Sequence, residues 1–230
     1  VTQYEGAVIE DTGLIKMDFL GLKTLSIIKD AVAMTNPDLI VLTGDNISAG
    51  SATVGIHAID LQLVKHGIDN FMSVFEEIGI PVAIVFGNHD AEEIVTKEEQ
   101  MEFYSTYDCC IAVDEGEALY GCGTYNVPIY SSADASKVAY NLWMIDSGAD
   151  NTENKLGGYA ATTKVQIEWY KETCKQLEKE NGKKVPSFMF QHIVVPEIFD
   201  ALVKVPEGTE GAVEYFSEYY VLPEGAVGKL

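Results

Sequence analysis

Four segments of the chain consist of nearly continuous apolar residues that end in small or polar side chains. They are PDLIVLTGD (37–45), PVAIVFGNHD (81–90), AYNLWMIDSG (139–148) and VPSFMFQHI (185–193). Apolar runs without regular alternation are typical of strands that are covered on both faces of a sheet. The pattern therefore predicts four buried strands, each followed by a turn that carries polar groups.

Between the strands, apolar residues recur at helical spacing over about 22–35, 61–78, 96–104 and 166–177. Thr96 and Glu99 have the spacing of a capping box at the start of the third helix. Gly79 and Gly182 follow the second and fourth helices, where a glycine commonly ends the helix. Strands that alternate with helices predict a layered α/β fold.

The residues that follow three of the strands are of types that bind metal ions. Asp45 follows the first strand, Asn88 and His89 follow the second, and His192 follows the fourth. In layered α/β folds the carboxyl ends of the strands form the ligand-binding edge, so we expect these side chains to converge. A carboxylate, an amide oxygen and an imidazole suit Mn, Fe or Zn better than a soft metal. For Asp45, Asn88 and His89 the alternative is a structural turn, and for His192 it is a buried histidine that is hydrogen-bonded to backbone. Asp146, which ends the third strand, could help to shape the site, but a turn explains it equally well.

Charge and composition exclude several classes of function. The chain has 15 Lys and Arg against 36 Asp and Glu, a formal net charge of -21, which disfavours a nucleic-acid partner. No apolar run is long enough to cross a bilayer, so no membrane partner is expected. No signal-peptide pattern is visible, which favours a cytoplasmic location.

The four cysteines form no CxxC pair, so free thiols are expected. The oligomeric state is left open.

Three segments, LIVLTGDN, VFGNHD and FMFQHIVVPE, resemble the second, third and fourth motifs of calcineurin-like metallophosphoesterases. The resemblance is closest to the purple acid phosphatase-related branch that includes the Dcr2-type phosphatases of yeast and plants. QIEWYKE and LWMIDSG resemble segments of that branch too. The resemblance extends from about residue 23 to the end, and it implies a layered β-sandwich flanked by helices, with a two-metal centre.

The resemblance also implies a role for each strand-end residue. Asp45 would bridge the two metal ions (Fe, Mn or Zn), and Asn88 and His192 would hold one of them. His89 would protonate the leaving oxygen, and Asp90 would orient His89. The implied reaction is hydrolysis of a small phosphomonoester or phosphodiester by a metal-bound hydroxide.

Two motifs of that family have no counterpart in this sequence. An Asp-x-His should precede Asp45, yet no histidine occurs before His57. A Gly-His-x-His should follow His192, yet no histidine occurs after it. We therefore expect at most one bound metal ion and impaired hydrolysis. The alternative is a catalytically inactive fragment or binding remnant of the same fold.

The opening segment, VTQYEGAVIEDTGLIKMDFLGLKTLSIIKDAV (1–32), resembles a stretch of the bacterial DNA polymerase III alpha subunit. It carries none of that polymerase's paired catalytic aspartates, so no polymerase activity is implied. We expect 1–32 to be a joined segment rather than a domain, as in a chimera or fragment. Residues 33–230 are then expected to form a partial metallophosphoesterase domain, incomplete at both ends. A polymerase fragment is the second alternative, which residues 1–32 alone favour.

Overall fold

The structure is a computed structural model that describes most of the chain. The described residues are 24–47, 54–91, 95–116, 118–149, 158–195, 202–209, 212–215 and 218–221. They belong to two compact units, one that ends at Ile193 and one that begins at Val194. Residues 1–23, most of the polymerase-like segment, lie outside the described residues.

The first unit contains α-helices at the four places that the sequence predicts. They are α1 (Thr24–Thr35), α2 (His57–Ile78), α3 (Lys97–Tyr104) and α4 (Lys164–Asn181). The predicted capping box of Thr96 and Glu99 is present at the start of α3. No helix among these residues is long and apolar enough to cross a membrane.

Helix α2 begins one turn before the apolar stripe that predicts it. The buried carboxylate of Asp60 accepts hydrogen bonds from the amides of Val54 (2.7 Å) and Gly55 (3.0 Å), and these bonds fix the chain as it enters the helix. The helix ends at Gly79, whose φ of 75° is left-handed. A glycine adopts that conformation at a helix end without steric cost.

Two sheets complete the first unit. In one, β1 (Ile40–Thr43) pairs in parallel with β2 (Val82–Val85). In the other, the strand order β3-β4-β5 joins β3 (Tyr125–Tyr130), β4 (Val138–Ile145) and β5 (Ser187–Gln191). Strand β4 is antiparallel to β3 and parallel to β5. Strands β1, β2, β4 and β5 are the four predicted strands, and the predicted α/β layering is confirmed.

The two sheets share a buried apolar core. Ala83 of β2 and Leu142 of β4 belong to the same buried cluster. The hydroxyl of Tyr125 in β3 donates to the carbonyl of Ile84 (3.0 Å) and accepts from the amide of Ile84 (2.8 Å). This side chain therefore satisfies the backbone of β2 from the opposite sheet. On its other side, the β1–β2 sheet packs against α1, α2 and α3.

Strand β5 is less buried than its apolar run predicts. Met189 is 46% exposed, whereas Phe188 and Phe190 pack against the core between the sheets. Successive side chains of a strand point to opposite faces of the sheet, so the face of β5 that carries Met189 lies open. The prediction of burial on both faces is wrong for this strand.

The second unit has a sheet of its own. It contains β6 (Val203–Val205), β7 (Val213–Tyr215) and β8 (Glu218–Val221), in the order β6-β8-β7 with antiparallel pairing throughout. All the predicted site residues lie in the first unit.

Candidate metal centre

The residues that follow β1 and β5 meet at one edge of the first unit. Asp45 lies two residues after β1, and His192 directly follows β5. The Nε2 atom of His192 and the Oδ2 atom of Asp45 are 3.0 Å apart. The structure thus brings together two of the predicted site residues from strands that are far apart in sequence. Their role as metal ligands stays a prediction.

The other ring nitrogen of His192 determines which tautomer is present. Nδ1 lies 3.0 Å from the carbonyl oxygen of Thr43, and a carbonyl only accepts hydrogen bonds, so Nδ1 carries a proton. In neutral His192 the lone pair of Nε2 then faces the carboxylate of Asp45. Two acceptor atoms at this distance repel each other unless a cation lies between them. The pair therefore requires a shared proton or a metal ion.

Asp45 has an unusual backbone conformation. Its φ is 52°, and that of the preceding Gly44 is 91°. Positive φ values are uncommon in residues other than glycine, and they recur at functional sites, although aspartate tolerates them better than most. A Cβ atom on Gly44 would lie 2.6 Å from Nδ1 of His192. Glycine at this position thus leaves room for the imidazole ring.

The loop after β2 packs against the same carboxylate. The amide of His89 donates to Oδ1 of Asp45 (3.0 Å). A Cβ atom on Gly87 would overlap the Asp45 carboxylate, so the loop can approach this closely only with glycine there. The side chain of Asn46 donates to the carbonyl of Val85 (3.0 Å). These contacts hold the turns after β1 and β2 together.

Asp90 is fully buried beneath this loop. Its carboxylate accepts hydrogen bonds from the amides of Gly87 (2.7 Å) and Ile47 (3.1 Å). Burial raises the pKa of Asp90 to about 6, and these two amide hydrogen bonds oppose the rise. Both oxygens therefore bind backbone and join the turns after β1 and β2. The predicted orientation of His89 by Asp90 stays a prediction.

Asn88 and His89 lie between Gly87 and Asp90, and their side chains are half-buried and exposed, respectively. Among the residues that the structure describes, no group of three His, Cys, Asp or Glu side chains could hold a metal ion. Within that part of the chain, a third protein donor beside Asp45 and His192 has to be of another type, and the amide of Asn88 is the one that the sequence predicts.

The donor atoms that are present fit a metal ion. Carboxylate and imidazole donors lie about 2.0–2.2 Å from a divalent ion such as Zn²⁺, so two of them are about 3.4 Å apart at a tetrahedral angle and about 3.0 Å apart at the 90° angle of a five- or six-coordinate ion. The observed distance between Asp45 and His192 is 3.0 Å. The hydrogen bond from Nδ1 to a backbone carbonyl is also the arrangement that commonly orients a metal-binding histidine.

A buried polar cluster lies at the end of β4, where the sequence leaves open whether Asp146 shapes the site or only forms a turn. Asp146 is 2% exposed. Its carboxylate accepts hydrogen bonds from the ammonium of Lys97 (2.8 Å) and from the amides of Cys122 (3.0 Å) and Gly148 (3.0 Å), and its backbone carbonyl accepts one from the side chain of Gln166 (2.7 Å). We call these five residues the Asp146 cluster. The sequence carries one indication that Gln166 is fixed in place. It occupies the third position of α4, where it closes a capping box with Thr163.

Curated relatives match most of this chain. "Probable inactive purple acid phosphatase 29" of Arabidopsis thaliana is 28% identical over 190 residues, which are 76% of this chain and 46% of that protein. "Probable inactive purple acid phosphatase 14" of the same plant is 30% identical over 192 residues, with the same two coverages of 76% and 46%. "Phosphatase DCR2" of Saccharomyces cerevisiae is 26% identical and covers 81% of this chain and 31% of its own length. The chain therefore spans less than half the length of these relatives.

Shorter matches confirm a resemblance to the DNA polymerase III alpha subunit. The subunit from Borreliella burgdorferi is 55% identical over 40 residues, which are 16% of this chain and 4% of that protein. The subunit from Buchnera aphidicola is 47% identical over 65 residues, 28% of this chain and 5% of that protein. That these matches mark a joined segment stays a prediction.

The family model described as calcineurin-like phosphoesterase matches residues 22–218. This range contains all the helices and strands described for the first unit. It also contains Asp45, Asn88, His89, Asp90 and His192. This chain therefore belongs to the calcineurin-like phosphoesterase family.

Proposed function

We propose that this chain is a metal-dependent phosphoesterase that hydrolyses a small phosphomonoester or phosphodiester, with impaired turnover. The observation that carries the proposal is the contact between Asp45 and His192 at 3.0 Å. Because Nδ1 of His192 is held by a carbonyl, the two facing acceptor atoms need a shared proton or a metal ion. In a phosphoesterase family we take the metal ion, because it also supplies the chemistry of the reaction.

Each residue of the candidate centre has a task in this proposal. Asp45, Asn88 and His192 would hold one ion, which would neutralise charge on the phosphoryl group and lower the pKa of a water molecule. His89 lies on the exposed part of the loop and would donate a proton to the leaving oxygen. Asp90 would keep the loop against Asp45 through its two amide hydrogen bonds.

The charge of the chain also supports a role for a metal ion. A formal net charge of -21 repels an anionic phosphoester over much of the surface. Lys97 is close in sequence to the loop after β2, but its ammonium is neutralised by Asp146 at 2.8 Å. A divalent cation held by Asp45 and His192 would supply the local attraction that the substrate needs.

Impaired turnover follows from the ligands that this sequence lacks. A second ion would need donors beyond the shared Asp45, yet no histidine precedes His57 and none follows His192. The names of two relatives in plants include the word inactive, which agrees with weak turnover. The same absence favours a second candidate function, a catalytically inactive binding domain of this fold.

The test is to measure metal content and hydrolysis on the same preparations. The purified chain is loaded with Zn²⁺ or Mn²⁺, dialysed and analysed by inductively coupled plasma mass spectrometry. Hydrolysis of p-nitrophenyl phosphate is then followed with and without a chelator. We expect at most one equivalent of metal per chain and slow turnover that the chelator abolishes.

Two variants control this experiment. Asp45→Asn replaces the carboxylate at the centre with a neutral amide, so the metal content of this variant should fall to background. Asp134→Asn changes an exposed turn residue that is hydrogen-bonded to Ser136 and should keep the metal. Two tightly held equivalents would contradict the single-ion proposal. Metal binding without turnover would favour the inactive binding domain.

A further inference from the structure

Ser147 lies next to the turn that carries His192. Strands β4 and β5 are parallel, and Ile145 is paired with Gln191, so the residues that follow the two strands continue side by side. The hydroxyl of Ser147 accepts a hydrogen bond from the amide of Ile193 at 2.8 Å. Ser147 is 1% exposed, so water does not compete for this contact.

The turn is also held on its other side. The side-chain amide of Gln191 donates to the carbonyl of Ile193 at 2.7 Å. Both backbone groups of Ile193 are thus bound by side chains, immediately after His192. The imidazole itself makes contacts of 3.0 Å to Thr43 and to Asp45. The direction of Nε2 therefore depends on where these bonds fix the backbone.

The position of Ser147 is itself well fixed. It directly follows Asp146, the centre of the Asp146 cluster, whose side chain and carbonyl are both hydrogen-bonded. It is followed by Gly148, whose φ is 79° and whose added Cβ would lie 2.7 Å from Cβ of Ala160. The hydroxyl is thus presented by a segment with little freedom to move.

We propose that Ser147 is a positioning residue of the candidate metal centre: its hydrogen bond to Ile193 sets the turn so that His192 presents Nε2 toward Asp45. The inference rests on the proposed function, because it concerns the affinity of that same centre for a metal ion. A partner hydrogen-bonded directly to a metal-binding side chain typically contributes 10–100-fold to metal affinity. Ser147 acts one residue further along the backbone, so we expect an effect at the low end of that range.

The experiment compares Ser147→Ala with the unmodified chain. The dissociation constant for Zn²⁺ is measured by competition with a chromophoric chelator, and the visible absorption of bound Co²⁺ reports the geometry of the site. We expect Zn²⁺ to bind about tenfold more weakly to the variant, with a changed Co²⁺ spectrum. Circular dichroism and thermal unfolding check that the variant folds.

Three further variants separate positioning from general stability. Ser105→Ala removes a serine hydrogen bond of the same length, 2.8 Å to the carbonyl of Met101, at the end of α3, and should leave Zn²⁺ affinity unchanged. Ser147→Thr keeps the hydroxyl, so this variant should bind Zn²⁺ as tightly as the unmodified chain. Gln191→Met removes the other bond to Ile193 and should also weaken binding, which keeps the test available if Ser147→Ala does not fold.

The outcomes distinguish the positioning role of Ser147 from the proposed function. If the unmodified chain binds Zn²⁺ and Ser147→Ala binds it equally well with the same Co²⁺ spectrum, the positioning role is wrong and the proposed function stands. If Ser105→Ala weakens binding as much as Ser147→Ala, the effect is one of stability and the positioning role is again wrong. If the unmodified chain binds neither ion, the proposed function fails and this inference fails with it.

Discussion

Asp45 combines a left-handed backbone, with φ of 52°, and a carboxylate whose two oxygens face different elements. Oδ1 accepts from the amide of His89, and Oδ2 lies against His192. Gly44 and Gly87 leave the space that this arrangement needs, because a side chain at either position would collide with the imidazole or the carboxylate. At this scale, small residues are as important to the candidate centre as the polar ones.

A direct consequence concerns Gly87→Ala. The new methyl group would overlap the carboxylate of Asp45, so we expect the free energy of unfolding to fall by about 1–3 kcal/mol, the usual cost of overpacking. Urea denaturation measures this change. The matched control is Gly67→Ala in α2, where the nearest atom to an added Cβ lies 3.6 Å away. That variant should gain about 0.5–1 kcal/mol, so equal effects of the two variants would refute the explanation.

At the scale of elements, the site is the place where β1, β2 and β5 end together. Strands β1 and β2 run in parallel in one sheet, and β5 is in the other. The contact between Asp45 and His192 therefore depends on how the two sheets pack. Tyr125 sets part of that packing, since its hydroxyl makes two hydrogen bonds to Ile84 in the opposite sheet.

Tyr125→Phe should therefore be costly. The substitution leaves the amide and carbonyl of Ile84 buried without this partner, and an unsatisfied buried group costs about 1–3 kcal/mol. Tyr104→Phe is the matched control, because among the described residues the buried hydroxyl of Tyr104 has no hydrogen-bond partner. Chemical denaturation of both variants should show a clear loss for the first and little or none for the second. A similar loss in both would mean that the hydroxyl of Tyr125 does not contribute in this way.

The sequence predicts the strands and the site residues for one physical reason. A buried strand requires a run of apolar residues, and the polar residues that follow it must lie at the carboxyl edge. That reasoning places Asp45 and His192 near each other, as the structure does. It does not place the ion pair of Lys97 and Asp146, which are 49 residues apart, because their contact depends on how α3 docks. It also misses the exposure of Met189 in β5, which depends on what packs against that face of the sheet.

At the scale of the whole molecule, negative charge dominates. The 36 acidic residues exceed the 15 basic ones and give a formal net charge of -21. A large net charge destabilises the compact state through self-repulsion. Buried groups such as Asp90 and Asp146 are satisfied locally, so the repulsion acts mainly among the exposed carboxylates.

Salt should therefore stabilise the protein. Raising NaCl from about 20 mM to about 200 mM shortens the Debye length from about 20 Å to about 7 Å. The exposed carboxylates are then screened from one another. We expect the Tm of the chelator-treated chain to rise over this range, measured by circular dichroism or calorimetry. A Tm that stays constant or falls would show that self-repulsion does not limit stability.

Whether Asp45 and His192 bind one metal ion together is decided by a crystal structure of the chain soaked in Zn²⁺, with anomalous diffraction recorded at the zinc edge. We expect an anomalous peak within about 2.2 Å of both Nε2 of His192 and a carboxylate oxygen of Asp45. It would be contradicted by zinc bound elsewhere, with His192 and Asp45 still in direct contact and no density between them.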